Sequence, residues 1–174
     1  MQARTSARLV FLAAALAVAL FAGVTPRPAS DLTFTTHDGK KVSLADYKGK
    51  PVVVFFFSTD CPHCQRAAAQ MAPLYPELKK KGIEILGLAM NPTAKTNLNG
   101  FIKNHSVAFP TGVSSDKQFR GFANLTVMQN FYYPYMLFVD PAGQIREEHQ
   151  GAERSWYGNF EFNLLKSIDN ISAK

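Results

Sequence analysis

The chain alternates short apolar runs with amphipathic segments over most of its length. The runs "VVVFFF", residues 52–57, and "IEILGLAM", residues 83–90, are rich in β-branched and aromatic residues and typical of strands buried on both faces. Between them, residues 65–81 carry apolar residues at helical spacing and end in three lysines, which suit the negative end of a helix. Pro73 and Pro76 fall inside this segment, so a kink or an early break is expected there.

The rest of the chain predicts one hairpin, three helices and a terminal pair of strands. In chain order these are a hairpin over 32–44 that turns at Asp38-Gly39, helices over 93–106 and 117–125, strands over 135–140 and 145–150, and a helix over 156–168. Strand–helix–strand alternation followed by a hairpin and a helix predicts an α/β fold, with a mixed central sheet flanked by helices.

The first 30 residues form a separate segment. Arg4 and Arg8 precede an apolar run over residues 9–24, which is the pattern of a secretory signal peptide. As a helix the run would reach roughly 24 Å, short of the ~30 Å of a bilayer core, so an uncleaved N-terminal membrane anchor is the alternative. Residues 25–30 then predict a linker. We therefore expect residues 31–174 to form one domain that works outside the cytoplasm, in the bacterial periplasm or on the extracytoplasmic face, where disulfides persist.

Composition and charge exclude several classes of function. A chain of 174 residues with 47% hydrophobic and 18% charged residues is typical of a globular protein with one core. The formal net charge is +6, but three of the arginines lie in the first 30 residues, and the only long lysine run is Lys79–Lys81. This is too little clustered positive charge to predict nucleic-acid binding.

The only two cysteines form one motif, Cys61-Pro62-His63-Cys64, placed between a predicted buried strand and a predicted helix. Pro62 suits the first helical turn, because its missing N–H has no partner there in any case. Cys61 then lies at the helix N-terminus, where free N–H groups favour a thiolate, and His63 adds a donor or a positive charge. Cys64 is close enough to close a disulfide with Cys61. The motif therefore predicts thiol–disulfide exchange.

Other uses of the pair are weighed against exchange. A zinc site needs a second ligand pair, and the other histidines (His37, His105 and His149) are scattered singly, so no metal site is expected. A purely structural disulfide would close too small a loop to constrain the unfolded chain much. A metallochaperone or redox-silent module that binds Cu(I) through the pair remains the alternative. A peroxidase is weaker, since no threonine and arginine can be assigned to support a peroxidatic cysteine.

Two segments resemble the TlpA/ResA-like branch of the thioredoxin superfamily, which consists of exported thiol–disulfide oxidoreductases. They are "DGKKVSLADYKGKPVVVFFFSTDCPHC", residues 38–64, and "YYPYMLFVDPAGQI", residues 132–145, and the resemblance covers residues 32–154. It implies a thioredoxin-like domain over 31–174, with an N-terminal β-hairpin and a central helical insertion within 92–105.

The resemblance also implies roles for single residues. Cys61 would be the nucleophile and Cys64 the resolving cysteine, and the peptide bond before Pro134 would be cis. Tyr133 would present its backbone to an extended substrate. The partners would be protein thiols and disulfides and an unidentified redox partner, and the pair's own disulfide would serve in place of a cofactor.

Three positions depart from the family pattern. The family usually has tryptophan where this chain has Asp60, and its reducing members have glutamate where this chain has Ala67. The buried aspartate of ordinary thioredoxins is replaced by Phe55. The missing acids disfavour a reductase, and the Pro62-His63 dipeptide is that of the oxidase DsbA. We therefore expect an oxidase, with a reductase as the alternative direction.

Overall fold

The computed structural model describes residues 25–172. Its eight strands are β1 (Arg27–Pro28), β2 (Thr33–Thr35), β3 (Lys41–Ser43), β4 (Val52–Phe57), β5 (Glu84–Ala89), β6 (Thr111–Val113), β7 (Tyr135–Val139) and β8 (Gln144–Gln150). The α-helices are α1 (Pro62–Lys80), α2 (Ala94–Asn104), α3 (Asp116–Ala123), α4 (Arg154–Gly158) and α5 (Phe160–Ser172). A short 3-10 helix over Leu44–Tyr47 follows β3.

Six strands form one mixed sheet in the order β1-β8-β7-β4-β5-β6, and β2 and β3 form a separate hairpin. Strand β4 lies parallel to β5 and antiparallel to β7, so it is central to the sheet. This is the thioredoxin fold with the N-terminal hairpin that the sequence predicts, and α2 is the helix of the central insertion.

Strand β4 explains how the aromatic run builds the core. Its side chains alternate between the two faces of the sheet, and all six residues are buried. Phe55 and Phe57 pack with α1 and α5 on one face, whereas Phe56 packs against α3 on the other. Their rings stack or meet edge to face, as between Phe56 and Phe119 with centroids 4.9 Å apart. Both faces of β4 are therefore closed, and its C-terminal end points to the cysteine motif.

Helix α1 differs from the sequence prediction. It runs unbroken from Pro62 to Lys80 with Pro73 and Pro76 inside it, so the early break does not occur. Both prolines lie on the exposed side of the helix, where water can satisfy the carbonyl groups that lose an N–H donor. The opposite side buries Met71, Tyr75 and Leu78 against the sheet, and this packing outweighs the two missing hydrogen bonds.

Three other elements differ from the sequence prediction. The last helix is split at Asn159 into α4 and α5, since Gly158 and Asn159 are weak helix formers. Strand β6 follows Pro110 and was not predicted. Arg27 and Pro28 pair with β8 as strand β1, so the folded domain includes residues that the sequence assigns to a linker.

The β2–β3 hairpin is tied to strand β6 of the main sheet. Thr36, just after β2, forms an antiparallel bridge with Gly112 in β6, and the N–H of His37 donates to the carbonyl of Thr111 at 2.9 Å. The predicted signal or anchor run, residues 9–24, lies outside the described residues. Within residues 25–172, no helix is both long and apolar enough to cross a membrane.

Candidate active site

The cysteine motif lies where β4 ends and α1 begins. Cys61 is the N-cap residue of α1, with an extended backbone, and Pro62 occupies the first helical position. The carbonyl of Cys61 accepts from the N–H of Gln65 at 3.0 Å, which starts the helix. No acidic residue lies in the first turn of α1, so the positive end of the helix is not neutralised there. A partly exposed sulfur at this position is suited to carry negative charge.

Cys64 differs sharply from Cys61 in its surroundings. Its side chain is 0% exposed and packs among the apolar residues between the sheet and α1. Burial raises the pKa of the Cys64 thiol far above its ordinary value, and the neighbouring Cys61 side chain raises it further. Both residues are free thiols in this structure. The pair therefore consists of one accessible sulfur and one protected sulfur that stays protonated.

Pro62 and His63 separate the two sulfurs in sequence and are both exposed on the first turn of α1. The structure therefore places His63 between the two cysteines of the motif and in contact with solvent. All four residues predicted for the motif lie together at the N-terminal end of α1, with Cys64 in the core and Pro62 and His63 exposed.

The second predicted part of the site is the loop before β7. The peptide bond between Tyr133 and Pro134 is cis, the geometry that the resemblance implies. Pro134 is buried. Tyr133 is partly buried and packs against the apolar cluster that includes Cys64, and Cys61 packs against the same cluster. Burial, followed by the electrostatic effect of Cys64, raises the pKa of Tyr133 to about 12. The loop and the cysteine motif therefore meet in one site.

The cis-proline loop is held by two residues that follow β8. The N–H of Gly151 donates to the carbonyl of Tyr132 at 3.0 Å, and a Cβ on Gly151 would lie 2.0 Å from the carbonyl oxygen of Tyr133. The hydroxyl of Tyr157 in α4 donates to the carbonyls of Pro134, at 3.1 Å, and His149, at 3.2 Å. Only glycine fits at 151, and Tyr157 ties the loop to the end of β8.

His149, whose carbonyl accepts from Tyr157, is the centre of a polar cluster. The ring of His149 stacks on Trp156, with centroids 4.4 Å apart, and its Nδ1 lies 2.7 Å from the carboxylate of Glu153. Burial lowers the pKa of His149, but hydrogen bonds with Glu147 and Glu153 outweigh this, so that the pKa is raised overall. The cationic form of His149 is thereby favoured between two carboxylates.

Asp60, directly before Cys61, does not cap α1. Its carboxylate instead accepts hydrogen bonds from the loop after β5 and from the start of α2. The donors are Asn91 Nδ2 at 2.9 Å, Thr93 Oγ1 at 2.8 Å and Asn97 Nδ2 at 3.0 Å. The hydrogen bond from Thr93 and then that from Asn97 lower the pKa of Asp60, so its carboxylate is charged at neutral pH. The insertion and the cysteine motif are thus joined.

The positions of the missing family acids are filled by apolar side chains. Ala67 is buried one turn after Cys64 in α1, and Phe55 is fully buried in β4, stacked on Phe57 with centroids 4.8 Å apart. Within the part of the chain that the structure describes, no group of three or more His, Cys, Asp or Glu side chains could hold a metal ion.

The sequence matches a known family. The sequence model of the AhpC/TSA family matches residues 26–148, which is more than two thirds of the chain. The chain belongs to the AhpC/TSA family. This family match covers every residue named above from Cys61 to Pro134, and the fold is that of the thioredoxin superfamily.

Individual members of this family are similar over most of the chain. The thiol–disulfide oxidoreductase ResA of Bacillus thuringiensis subsp. konkukian is 28% identical over 127 residues, covering 73% of this chain and 70% of its own length. ResA of Bacillus subtilis is 27% identical over 129 residues, covering 74% and 69%. With the site geometry, these relatives make this AhpC/TSA protein a TlpA/ResA-like thiol–disulfide oxidoreductase.

Solved structures share the fold. A thiol:disulfide interchange protein of the thioredoxin family from Chlorobium tepidum superposes with a TM-score of 0.67 at 22% identity, covering 84% of this chain and 99% of its own. A secreted Mycobacterium tuberculosis disulfide oxidoreductase, homologous to E. coli DsbE, gives a TM-score of 0.64 at 17% identity, covering 80% and 95%.

Sequence reasoning missed the residues that hold the two loops. These are Asn91, Thr93, Asn97, Gly151 and Tyr157. All of them act through contacts between segments distant in the chain, and no spacing in the sequence marks them. Asn91-Pro92 signals only the end of a strand, and Tyr157 resembles any aromatic residue on an amphipathic helix.

Proposed function

We propose that this family member is an exported oxidase of protein thiols, which passes its Cys61–Cys64 disulfide to cysteine pairs of other proteins. The observation that carries the proposal is the difference between the two sulfurs. Cys61 is accessible at the positive end of α1, beside the exposed His63, whereas Cys64 is fully buried. A helix N-terminus and a nearby imidazolium both stabilise a Cys61 thiolate, and a stable thiolate makes the disulfide form a better oxidant.

The proposed exchange has two balanced steps. A substrate thiolate attacks the Cys61 sulfur, the Cys61–Cys64 bond breaks, and the electron pair leaves on Cys64, which takes up a proton. A second substrate thiolate then attacks the substrate sulfur of the mixed disulfide and releases Cys61 as a thiolate. The substrate loses two electrons and gains a disulfide, and the cysteine pair gains the two electrons. A separate redox partner, a disulfide of lower stability, reoxidises the pair, and no further cofactor takes part.

The remaining site residues receive supporting roles. Cys64 is buried and its thiol pKa is raised, so free substrate does not reach it. It is the leaving group of the first step, and it resolves the mixed disulfide only when the reaction runs in the reverse, reducing direction. Tyr133 and Cys61 pack against the same apolar cluster, so the loop with the cis bond at Pro134 is proposed to align an extended segment of substrate near Cys61. His63 stabilises the Cys61 thiolate from the exposed face of α1, and Pro62 sets the start of that helix.

Export is part of the proposal. The apolar run over 9–24 follows two arginines, and the similar Mycobacterium tuberculosis protein is described as secreted. An oxidising compartment would keep the pair in the disulfide form that the reaction consumes. Fractionation of cells that express the full chain, with a reporter on the C-terminus, tests this. Recovery of the protein in the cytoplasm would contradict export without bearing on the chemistry.

The direction of electron flow is tested by the reduction potential of the Cys61–Cys64 couple, measured in glutathione buffers. We expect a potential clearly less negative than the ~−270 mV of thioredoxin, towards the ~−120 mV of DsbA. The oxidised protein should also introduce a disulfide into a reduced, unfolded protein with two cysteines. A value at or below that of thioredoxin would make the enzyme a reductase. Stoichiometric Cu(I) binding without any dithiol exchange would favour the metallochaperone.

A further inference from the structure

Asp60 is the residue of the motif region whose contacts the exchange mechanism leaves unused. Its carboxylate accepts hydrogen bonds from three side chains, Asn91, Thr93 and Asn97, which we call the Asp60 platform. Thr59 adds a fourth donor at 3.2 Å. A carboxylate with so many donors has a fixed position, although it remains in contact with solvent, and it belongs to the residue directly before Cys61.

The charge at Asp60 has a defined neighbourhood. Cys61 follows it directly in the chain, and the other charged or titratable side chains of the first turns of α1 are the exposed His63 and Arg66 and the buried Cys64. Asp60 is therefore the one acidic residue among residues 58–66. The hydrogen bonds from Thr93 and then Asn97 lower the pKa of Asp60, so its carboxylate is negatively charged at neutral pH.

The platform also fixes where the motif lies. Asn91 Oδ1 accepts from the N–H of Thr59 at 2.9 Å, so the same side chain that donates to Asp60 also holds the backbone before it. Asn97 lies in the first turn of α2, which has no acidic residue of its own. Asp60 therefore supplies the negative charge that suits the N-terminus of α2, although it belongs to the loop before α1.

We propose that Asp60, fixed by the Asp60 platform, is a positioning residue that makes the Cys61–Cys64 couple less oxidising than its Pro62-His63 dipeptide alone would make it. The proposal rests on the proposed exchange function and deepens it. In the reduced enzyme, a fixed carboxylate on the residue directly before Cys61 repels a thiolate at Cys61, whereas the disulfide carries no charge to repel. Asp60 thus destabilises the reduced form relative to the disulfide and lowers the reduction potential.

The test compares the reduction potentials of the wild type and Asp60→Asn in glutathione buffers at low and high salt. We expect the equilibrium of Asp60→Asn to shift at least threefold towards the reduced form, which is ~14 mV at 29.6 mV per tenfold. The shift should shrink as salt rises, because Asp60 is exposed and its field is screened. The rate at which iodoacetamide alkylates Cys61 at a fixed mildly acidic pH should rise in the same variant.

Asn97→Ala is the matched control, since it removes one donor of the platform and keeps the charge. Its potential should stay closer to that of the wild type than to that of Asp60→Asn, and Asp60→Glu should restore most of the wild-type value. A potential for Asp60→Asn equal to or below that of the wild type overturns the inference. An equal, salt-independent rise in both variants overturns it too, because position rather than charge would then set the potential.

The two proposals fail separately. If the wild type exchanges no disulfides, the proposed function is wrong whatever Asp60 does. If the wild type exchanges disulfides and Asp60→Asn matches it in potential, only the inference about Asp60 is wrong. Circular dichroism melting of each variant in the disulfide form checks that the measured protein is folded.

Discussion

Two loops meet at the site, and each is held by a different kind of contact. The loop before Cys61 is tied by hydrogen bonds between exposed polar side chains, with Asp60 at their centre. The loop at Pro134 is held by close packing on Gly151 and by the partly buried hydroxyl of Tyr157. Hydrogen bonds between exposed side chains add little to the stability of the fold, but here they fix the position of the Asp60 carboxylate. Close packing, as at Gly151, leaves no space for an added atom and so constrains the conformation of the loop. The loop before Cys61 thus supplies a charge near the reactive cysteine, whereas the loop at Pro134 supplies a fixed backbone conformation.

The largest effect should follow from removing Cys61. Cys61→Ser should reduce disulfide exchange to the uncatalysed level, because the accessible sulfur is the only one that a substrate can reach. Cys64→Ser should instead accumulate a mixed disulfide when it is incubated with a protein substrate that carries a disulfide. The Cys61 thiolate attacks that disulfide and no second thiol of the enzyme resolves the product, which is visible as a thiol-sensitive band on a non-reducing gel. A stable mixed disulfide formed by Cys61→Ser would mean that the buried Cys64 is reached, and would remove the contrast between the two sulfurs.

Gly151→Ala tests the packing half of the comparison. The added Cβ would overlap the carbonyl oxygen of Tyr133, so the cis-proline loop must move. We expect a loss of about 2–4 kcal/mol in the free energy of unfolding, measured by urea denaturation. Gly158→Ala is the control, since a Cβ there meets no atom within 4 Å and the residue is helical. Equal stability of the two variants would show that the loop does not depend on Gly151.

Tyr157→Phe separates the hydrogen bonds from the packing of the ring. It leaves the partly buried carbonyls of Pro134 and His149 without this donor, at a cost of about 0.5–1.5 kcal/mol in the free energy of unfolding. If these hydrogen bonds hold the cis-proline loop in place for substrate binding, KM for a protein substrate should rise in Tyr157→Phe. The reduction potential should stay the same. Tyr132→Phe, in which the exposed hydroxyl is removed, should change neither quantity. A change of potential in Tyr157→Phe would argue against a purely positioning role.

The smallest expected effect is a pH dependence at His149. Because its pKa is raised in the folded protein, its contribution to stability is fully present below the ordinary histidine value of ~6.5 and is lost as pH rises through the folded pKa. The melting temperature, measured from pH 5 to 8, should therefore lose a component on the alkaline side. His149→Gln, which cannot titrate, should abolish that component. If the component persists in His149→Gln, another group is responsible.

The sequence predicts most of the fold because its strongest signals are local. The aromatic run of β4 and the apolar spacing of α1 each fix their own element, and so does the turn at Asp38-Gly39. Strand β6 has three residues and little pattern, so it forms only because β5 is there to pair with it. The prolines of α1 show the opposite case, in which tertiary packing overrides a local signal.

The residues of the site likewise fall into those that the sequence indicates and those that it does not. Cys61 and Cys64 are recognisable because adjacent cysteines have few other uses, and Pro134 is recognisable from the family resemblance. The partners of Asp60 are not, because a hydrogen bond from Asn97 spans 37 positions and leaves no periodic trace. The sequence marks Asp60 only as a departure from the family, without indicating what the carboxylate contacts.

The contact of the hairpin with Gly112 has a consequence for how the protein behaves in concentrated solution. Strand β6 is the outermost strand on its side of the sheet, and a Cβ at position 112 would lie 2.3 Å from the carbonyl oxygen of Thr35. The hairpin therefore covers unpaired backbone groups that could otherwise recruit a strand from a second molecule. A bulky residue at 112 would displace the hairpin from β6 and make the domain more prone to aggregate.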